Sequence, residues 1–186
     1  MSRRKCAARC SWILKEHACV ADQLVFGERA GRGIATVMAR KDVGAGAIGE
    51  ALGLQLADGP VAVTQGTMLA VGTGPGTWLV MDDAAAHDFA DVLQERLSGL
   101  ASVSDQSSGY AIFQLTGPGA RTVLQRGAAI DFHPDCFGPG CVATTVIAHI
   151  GAIIRQVDDL PSFEVAVFRS LSGSFRHWLT EAAAAL

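Results

Sequence analysis

Between Ser104 and Gly127 the chain reads SDQSSGYAIFQLTGPGARTVLQRG: a serine-rich turn, an apolar strand, the turn Gly117-Pro118-Gly119 and a helix. Strand, glycine turn and helix N-terminus together can cradle an anion, because the first N–H groups of a helix lack internal partners. Here only Arg121 stands near the mouth of the turn, and Pro118 removes one N–H donor. The residues therefore favour a tight turn over a phosphate site. Gly44, Gly46 and Gly49 satisfy the dinucleotide pattern GxGxxG, but TQGTMLA stands where an acidic ribose partner is needed about 20 residues on. A small-residue helix face packed against a sheet is the expectation for that segment. The third glycine-rich stretch, Gly72 to Thr77, lies between two strands and reads as a turn.

Nucleophilic chemistry needs a base beside the nucleophile, and no motif supplies one for Ser104, Ser107 or Ser108. Asp105 is placed to cap or brace that turn. His17, His87, His133, His149 and His177 are dispersed, without the i, i+4 spacing of a helical metal pair. Cys6, Cys10, His17 and Cys19 match no standard zinc spacing, and an odd total of five cysteines argues against a secreted disulfide framework. Cys136 and Cys141 flank FGPG as reduced thiols. His149 closes a strand, where it either faces a partner or is a satisfied core histidine. No catalytic, cofactor-binding or metal residue is assigned.

Apolar periodicity supplies the elements that position these residues. Gly33–Arg40 reads as a strand and Asp42–Leu54 as a helix capped by Asp42. A hairpin turning at Gly66 follows, then the strand GTWLVMD. Asp83–Leu97 reads as a helix with Phe89, Val92, Leu93 and Leu97 on one face. The order then recurs. Tyr110–Thr116 is a strand, and Pro118–Gly127 a helix opened by Pro and closed by Gly. A hairpin turns near Gly151, Phe163–Phe168 is a strand, and Ser170–Ala185 is a helix capped by Ser170 or Ser172, with Phe175, Trp178 and Leu179 inward. The predicted class is α+β: two pseudo-symmetric strand-helix-hairpin-strand-helix repeats, over about 23–100 and 104–186, with residues 98–108 as the link. Their sheets are expected to stack or join with helices outside. Residues 1–22 are expected to be a loosely ordered extension, and 23–186 a single domain.

Composition bounds the rest. At 186 residues with 49% apolar residues, the chain can bury roughly 70% of its unfolded surface without disulfides or metal. A net charge of −3 without a basic stripe argues against nucleic-acid binding. The segment after the basic run SRRKCAAR is broken by Lys15, Glu16 and His17, so it lacks a signal-peptide core, and no stretch reaches the length of a membrane span. A cytoplasmic protein is expected.

The segments ATVMARKDVGAGAIGEALGLQLADGP, AVGTGPGTWLVM, SDQSSGYAIFQLTGPGARTVLQRGAAIDFHPDCFGPGCVATTVIAHIGAIIRQVDD and FEVAVFRS, in that order, resemble the gamma subunit of heterotetrameric sarcosine oxidase. The resemblance runs from about Gly27 to the C-terminus. More distantly, Asp105, Ser107, Gly117, Pro118 and Ala120 resemble a pattern of the folate-binding aminomethyltransferases of the glycine cleavage system. This chain stops before a C-terminal barrel and lacks their acidic catalytic motif, so no catalytic residue carries over. The resemblance implies an aminomethyltransferase-like folate-binding-domain fold and an assembly with alpha, beta and delta subunits. Those partners would hold FAD, FMN, NAD, zinc and tetrahydrofolate, with none in this chain. It implies that the complex demethylates sarcosine to glycine, forming hydrogen peroxide and 5,10-methylenetetrahydrofolate, and that this chain is a structural partner. The alternatives are a free-standing folate-binding one-carbon transfer protein, for which Asp105 and Asp131 are the candidates to contact the pterin amine, or the gamma subunit of a complex acting on another N-methyl or secondary amino acid.

Overall fold

The computed structural model of the chain describes residues 19–21 and 23–186; Cys6, Cys10 and His17, and most of the expected extension, lie outside the described residues. The elements are β1 (Cys19–Ala21), β2 (Leu24–Arg29), β3 (Gly33–Ala39), α1 (Ala45–Leu52), β4 (Ala62–Gln65), β5 (Met68–Gly74), β6 (Thr77–Asp82), α2 (Phe89–Arg96) and β7 (Ala101–Asp105). Then follow β8 (Tyr110–Thr116), α3 (Ala120–Gly127), β9 (Val142–Ile147), β10 (Ile150–Gln156), β11 (Ser162–Phe168), a short 3₁₀ turn and α4 (Ser172–Ala184).

Two antiparallel sheets result, one in the order β4-β5-β6-β3-β7 and one in the order β9-β10-β11-β8-β2-β1. They are stacked, with helices outside, in four layers. Helices α1 and α2 bury Ile48, Leu52, Phe89 and Leu93 against Ala35, Val37, Trp78 and Val80 of the first sheet. Helices α3 and α4 bury Val123, Leu124, Phe175 and Leu179 against Phe113, Leu115, Val165 and Val167 of the second. The inner faces meet through Ile34, Leu79, Met81, Ile112, Ile153 and Ala166. Central strands are thus covered on both sides, which is why WLVM in β6 and FEVAV in β11 run nearly unbroken in apolar residues rather than alternating.

The two halves match strand for strand and also interlock. The strand preceding the first repeat, β2, lies not in the first sheet but beside β8, pairing Val25 with Thr116 and Arg29 with Ile112. The strand preceding the second repeat, β7, lies beside β3, pairing Ala35 with Asp105 and Ala39 with Ala101. The predicted link over 98–108 is therefore a sheet strand, because its backbone completes the open edge of β3. The sheets also touch at one corner, where Val142 N–H donates to Pro60 O at 2.9 Å and Ala62 N–H to Gly140 O at 2.8 Å.

Several local expectations are corrected. Asp42 does not cap α1: it sits at φ 65°, and the N-cap is Gly44. Helix α2 starts at Phe89, and Val92 is exposed rather than inward, because the short helix turns only Phe89 and Leu93 to the sheet. Neither Ser170 nor Ser172 supplies a side-chain cap, since the 3₁₀ turn leads directly into α4. The β9–β10 hairpin turns at Ala148 and His149, at φ 47° and 69°, the two positive values of the two-residue turn whose twist suits a hairpin. His149 is thus an exposed turn residue, and Gly151 lies within β10 opposite Val146.

Gly127 closes α3 for a reason other than a left-handed cap. A Cβ there would lie 2.4 Å from Cζ2 of Trp178 and 2.7 Å from Cγ2 of Ile147. Gly127→Ala is expected to destabilise the protein by about 1–3 kcal/mol through overpacking. Gly46, in α1 with nothing within 4 Å of its would-be Cβ, behaves oppositely: Gly46→Ala should add roughly 0.5–1 kcal/mol of helix stability. Urea unfolding of both variants reads the two signs, and a loss at Gly46 would show that this glycine has a role beyond the helix.

Candidate functional site

The anion-like turn is occupied by the protein's own groups. Gly117 N–H donates to Pro161 O at 3.1 Å, Gly119 N–H to Gln23 O at 2.9 Å and Ala120 N–H to Gly117 O at 3.0 Å. A Cβ at Gly117, whose φ is 121°, would lie 2.6 Å from Gln23 O, and one at Gly119 would lie 2.5 Å from Leu186 Cδ1. The glycines let α3 approach the Gln23–Leu24 backbone. Arg121 faces inward: its Nη1 donates to Phe132 O and Phe137 O, its Nη2 donates to Gln156 Oε1 at 2.9 Å, and it lies 5.2 Å over the Phe163 ring. The one cation of the motif thus ties the 129–138 loop to α3 and β10.

The other nominated residues also serve local structure. Asp105 Oδ1 accepts the Ser107 N–H at 2.9 Å and the Ser107 hydroxyl at 2.7 Å. That hydroxyl in turn accepts the Ile34 N–H at 3.0 Å, so the turn after β7 is fastened to the start of β3. The Ser107 N–H, then its hydroxyl, hold the Asp105 carboxyl below the usual range. Ser104 and Ser108 are exposed. Asp131 accepts the His133 N–H at 2.8 Å, bracing an exposed loop, and that bond followed by one to Cys136 lowers its carboxyl. Asp105 and Asp131 are not brought together by any shared contact. Of the glycines of the dinucleotide-like pattern, Gly49 packs tightly, a Cβ there lying 2.5 Å from Leu54 O, while Gly44 and Gly46 face open space. Cys136 and Cys141 are free thiols, and no group of three or more His, Cys, Asp or Glu among the described residues is arranged to hold a metal.

The most strongly charged feature was not singled out in sequence. Glu164 of β11, buried between the sheets with 4% exposure, accepts from Arg29 Nη1 at 2.9 Å, Arg32 Nη1 at 3.0 Å and Arg155 Nε at 2.9 Å. Asp83, just after β6, accepts from Arg29 Nη2 at 3.0 Å and from Arg32 Nε and Nη2. The cluster joins β2, the β2–β3 turn, β10 and β11 to the end of β6, crossing from one sheet to the other. Burial pushes the Glu164 carboxyl up, but the charges of Arg155 and Arg32, with the Arg32 hydrogen bond, outweigh it and hold it below the usual value. Burial likewise raises Asp83, and the hydrogen bond and charge of Arg32 reverse the sign. The only sequence signal is one charge in each of two apolar strands, FEVAVF and GAIIRQ; the register that sets Glu164 opposite Arg155 is a property of the fold.

At the opposite end the inner faces part. A cleft of about 310 Å³ is lined by Thr36, Thr73, Thr77, Thr144, Tyr110 and Phe168, among others. The rings of Tyr110 and Phe168 stack with centroids 5.1 Å apart, and Phe168 is half exposed.

Two stacked sheets with helices outside, built from interlocked repeats, define an aminomethyltransferase-like fold. The glycine cleavage system aminomethyltransferase T from Bartonella henselae superposes with a TM-score of 0.59 at 15% identity, over 84% of this chain and 45% of that one. A chain of the heterotetrameric sarcosine oxidase from Corynebacterium sp. U-96, determined in complex with pyrrole 2-carboxylate, superposes with a TM-score of 0.79 at 23% identity, over 90% of this chain and 87% of that one. No curated protein matches the chain. Residues 38–185 match the model of the sarcosine oxidase gamma subunit family, and the chain belongs to that family.

Removing the Glu164 charge should leave three guanidinium groups short of a buried partner. Glu164→Gln is expected to cost about 3–5 kcal/mol at neutral pH. Because the folded-state carboxyl lies below its ordinary value of 4.5, its contribution is complete above that value and lost as pH falls through the folded-state value. Thermal unfolding should therefore show the wild type losing more stability than Glu164→Gln between about pH 5 and pH 3; parallel curves would contradict the assignment.

Proposed function

We propose that this chain is a structural, non-catalytic gamma subunit of a heterotetrameric sarcosine-oxidase complex in the cytoplasm. The observation that carries the reading is the family match over residues 38–185, alongside the fold similarity to a chain of a heterotetrameric sarcosine oxidase. In this reading the complex demethylates sarcosine oxidatively to glycine, forming hydrogen peroxide and 5,10-methylenetetrahydrofolate. The alpha, beta and delta partners hold FAD, FMN, NAD, zinc and tetrahydrofolate, and residues 23–186 act as one domain.

The geometry supports a structural role. The turn most like an anion cradle has Gly117, Gly119 and Ala120 N–H groups committed to backbone carbonyls, and Arg121 is committed to Phe132, Phe137 and Gln156. Asp105, a candidate for a pterin amine, is committed to Ser107. The exposed Phe168, Met38 and Val146 lie at the cleft end of the inner faces, an apolar surface fit for burial in an assembly. No helix among the described residues is long and apolar enough to cross a membrane.

Tagged chain recovered from its native host should bring down three other polypeptides in a yellow complex that produces peroxide with sarcosine. A colourless chain recovered alone, binding tetrahydrofolate at micromolar concentration, would overturn the reading in favour of a free-standing folate binder. A yellow four-chain complex active only on another N-methyl amino acid would keep the subunit role and change the substrate.

A further inference from the structure

Beside the Glu164 cluster lies a cavity of about 350 Å³, open to solvent, whose wall joins Arg29, Arg32, Arg155 and Asp83 to Thr64 and Thr67 of the β4–β5 hairpin. Within the cluster the carboxylates are saturated, Glu164 by three arginines and Asp83 by two. Arg32 has its Nε and both terminal nitrogens engaged, and Arg29 has contacts beyond its two carboxylates. Arg155 differs. Its Nε and Nη2 both meet Glu164 Oε2, at 2.9 and 2.8 Å, which leaves Nη1 without a hydrogen-bond partner among the described residues. Its side chain is 12% exposed and lines the cavity, where a ligand would replace water at that donor. The hydroxyls of Thr64 and Thr67, on the facing hairpin, also make no hydrogen bond among the described residues.

We propose that this cavity is a carboxylate-binding site in which Arg155 Nη1 and the Thr64 and Thr67 hydroxyls donate to one carboxylate group. A guanidinium edge and two hydroxyls suit a planar, singly charged acceptor. The three guanidinium groups of Arg29, Arg32 and Arg155 against the Asp83 and Glu164 carboxylates leave one positive charge, which a single carboxylate balances. The group comes either from a free carboxylic acid or from an acidic side chain of a partner subunit. Both present the same chemistry.

The test uses the full chain with sodium acetate as probe, against sodium chloride at equal ionic strength, read by the thermal unfolding midpoint. Acetate should raise the midpoint saturably above chloride, as ligand binding to the folded state requires. The Thr64→Val/Thr67→Val double variant touches no charge of the cluster, so it should unfold normally in chloride. It should need at least about tenfold more acetate for half-saturation, from the loss of two hydroxyl donors to a charged acceptor. Equal responses to acetate and chloride, or an unchanged half-saturation in the double variant, would overturn the proposal. Repeating the titration on the chain co-purified with its partners separates the sources. A response lost there assigns the site to a partner's acidic side chain; a response retained assigns it to a free carboxylate.

Discussion

One carboxylate among the described residues, Glu164, is buried in the core. It stands between two apolar sheet faces, where an unpaired charge would be costly, and it is stable there because Arg29, Arg32 and Arg155 converge on it from three different segments. Those segments are distant in sequence, and they meet only if β2 crosses to the second sheet and β10 pairs with β11 in one register. The full set of charge contacts therefore forms only in the interlocked arrangement. A one-residue slip of β11 would turn Glu164 onto the helix-covered face, among Phe113, Leu115 and Phe175.

The exchange of leading strands has a mechanical consequence. Each sheet is completed by a strand from outside its own repeat, so neither half has a finished sheet without the other. Closing backbone bonds at the Pro60–Val142 corner and the arginine cluster fasten the inner faces, while the Thr- and aromatic-lined end stays parted. A body tied in this way fits the structural role proposed for the chain.

Much of this was legible in the sequence. Hydrophobic period marks the repeated strands and helices and the existence of both hairpins, because central strands and one-sided helices leave different patterns. Gly66 marked its turn correctly because it sits at φ 61°, a conformation glycine adopts freely. The turn at Ala148-His149 was misplaced because neither residue advertises a positive φ. The strand at Ala101–Asp105 was read as a link because ASVSD is a polar edge segment whose role is set by the vacancy beside β3. The Glu164 cluster was invisible because its members are scattered from residue 29 to residue 164 and only the sheet register gathers them. Of the motifs with a chemical look, the N–H groups of Gly117, Gly119 and Ala120 go to backbone carbonyls, and Asp105 binds the N–H and hydroxyl of its neighbour Ser107.

A chain that contributes structure rather than chemistry to a sarcosine-oxidase complex, as proposed, must be needed for that complex to assemble. The most direct measurement is the size and flavin absorbance of the particle formed when the partner subunits are assembled with and without this chain. The partners are expected to fail to form the full particle without it, and adding purified chain should restore both particle and sarcosine turnover. A complete, fully active, yellow particle formed in its absence would rule out this structural role.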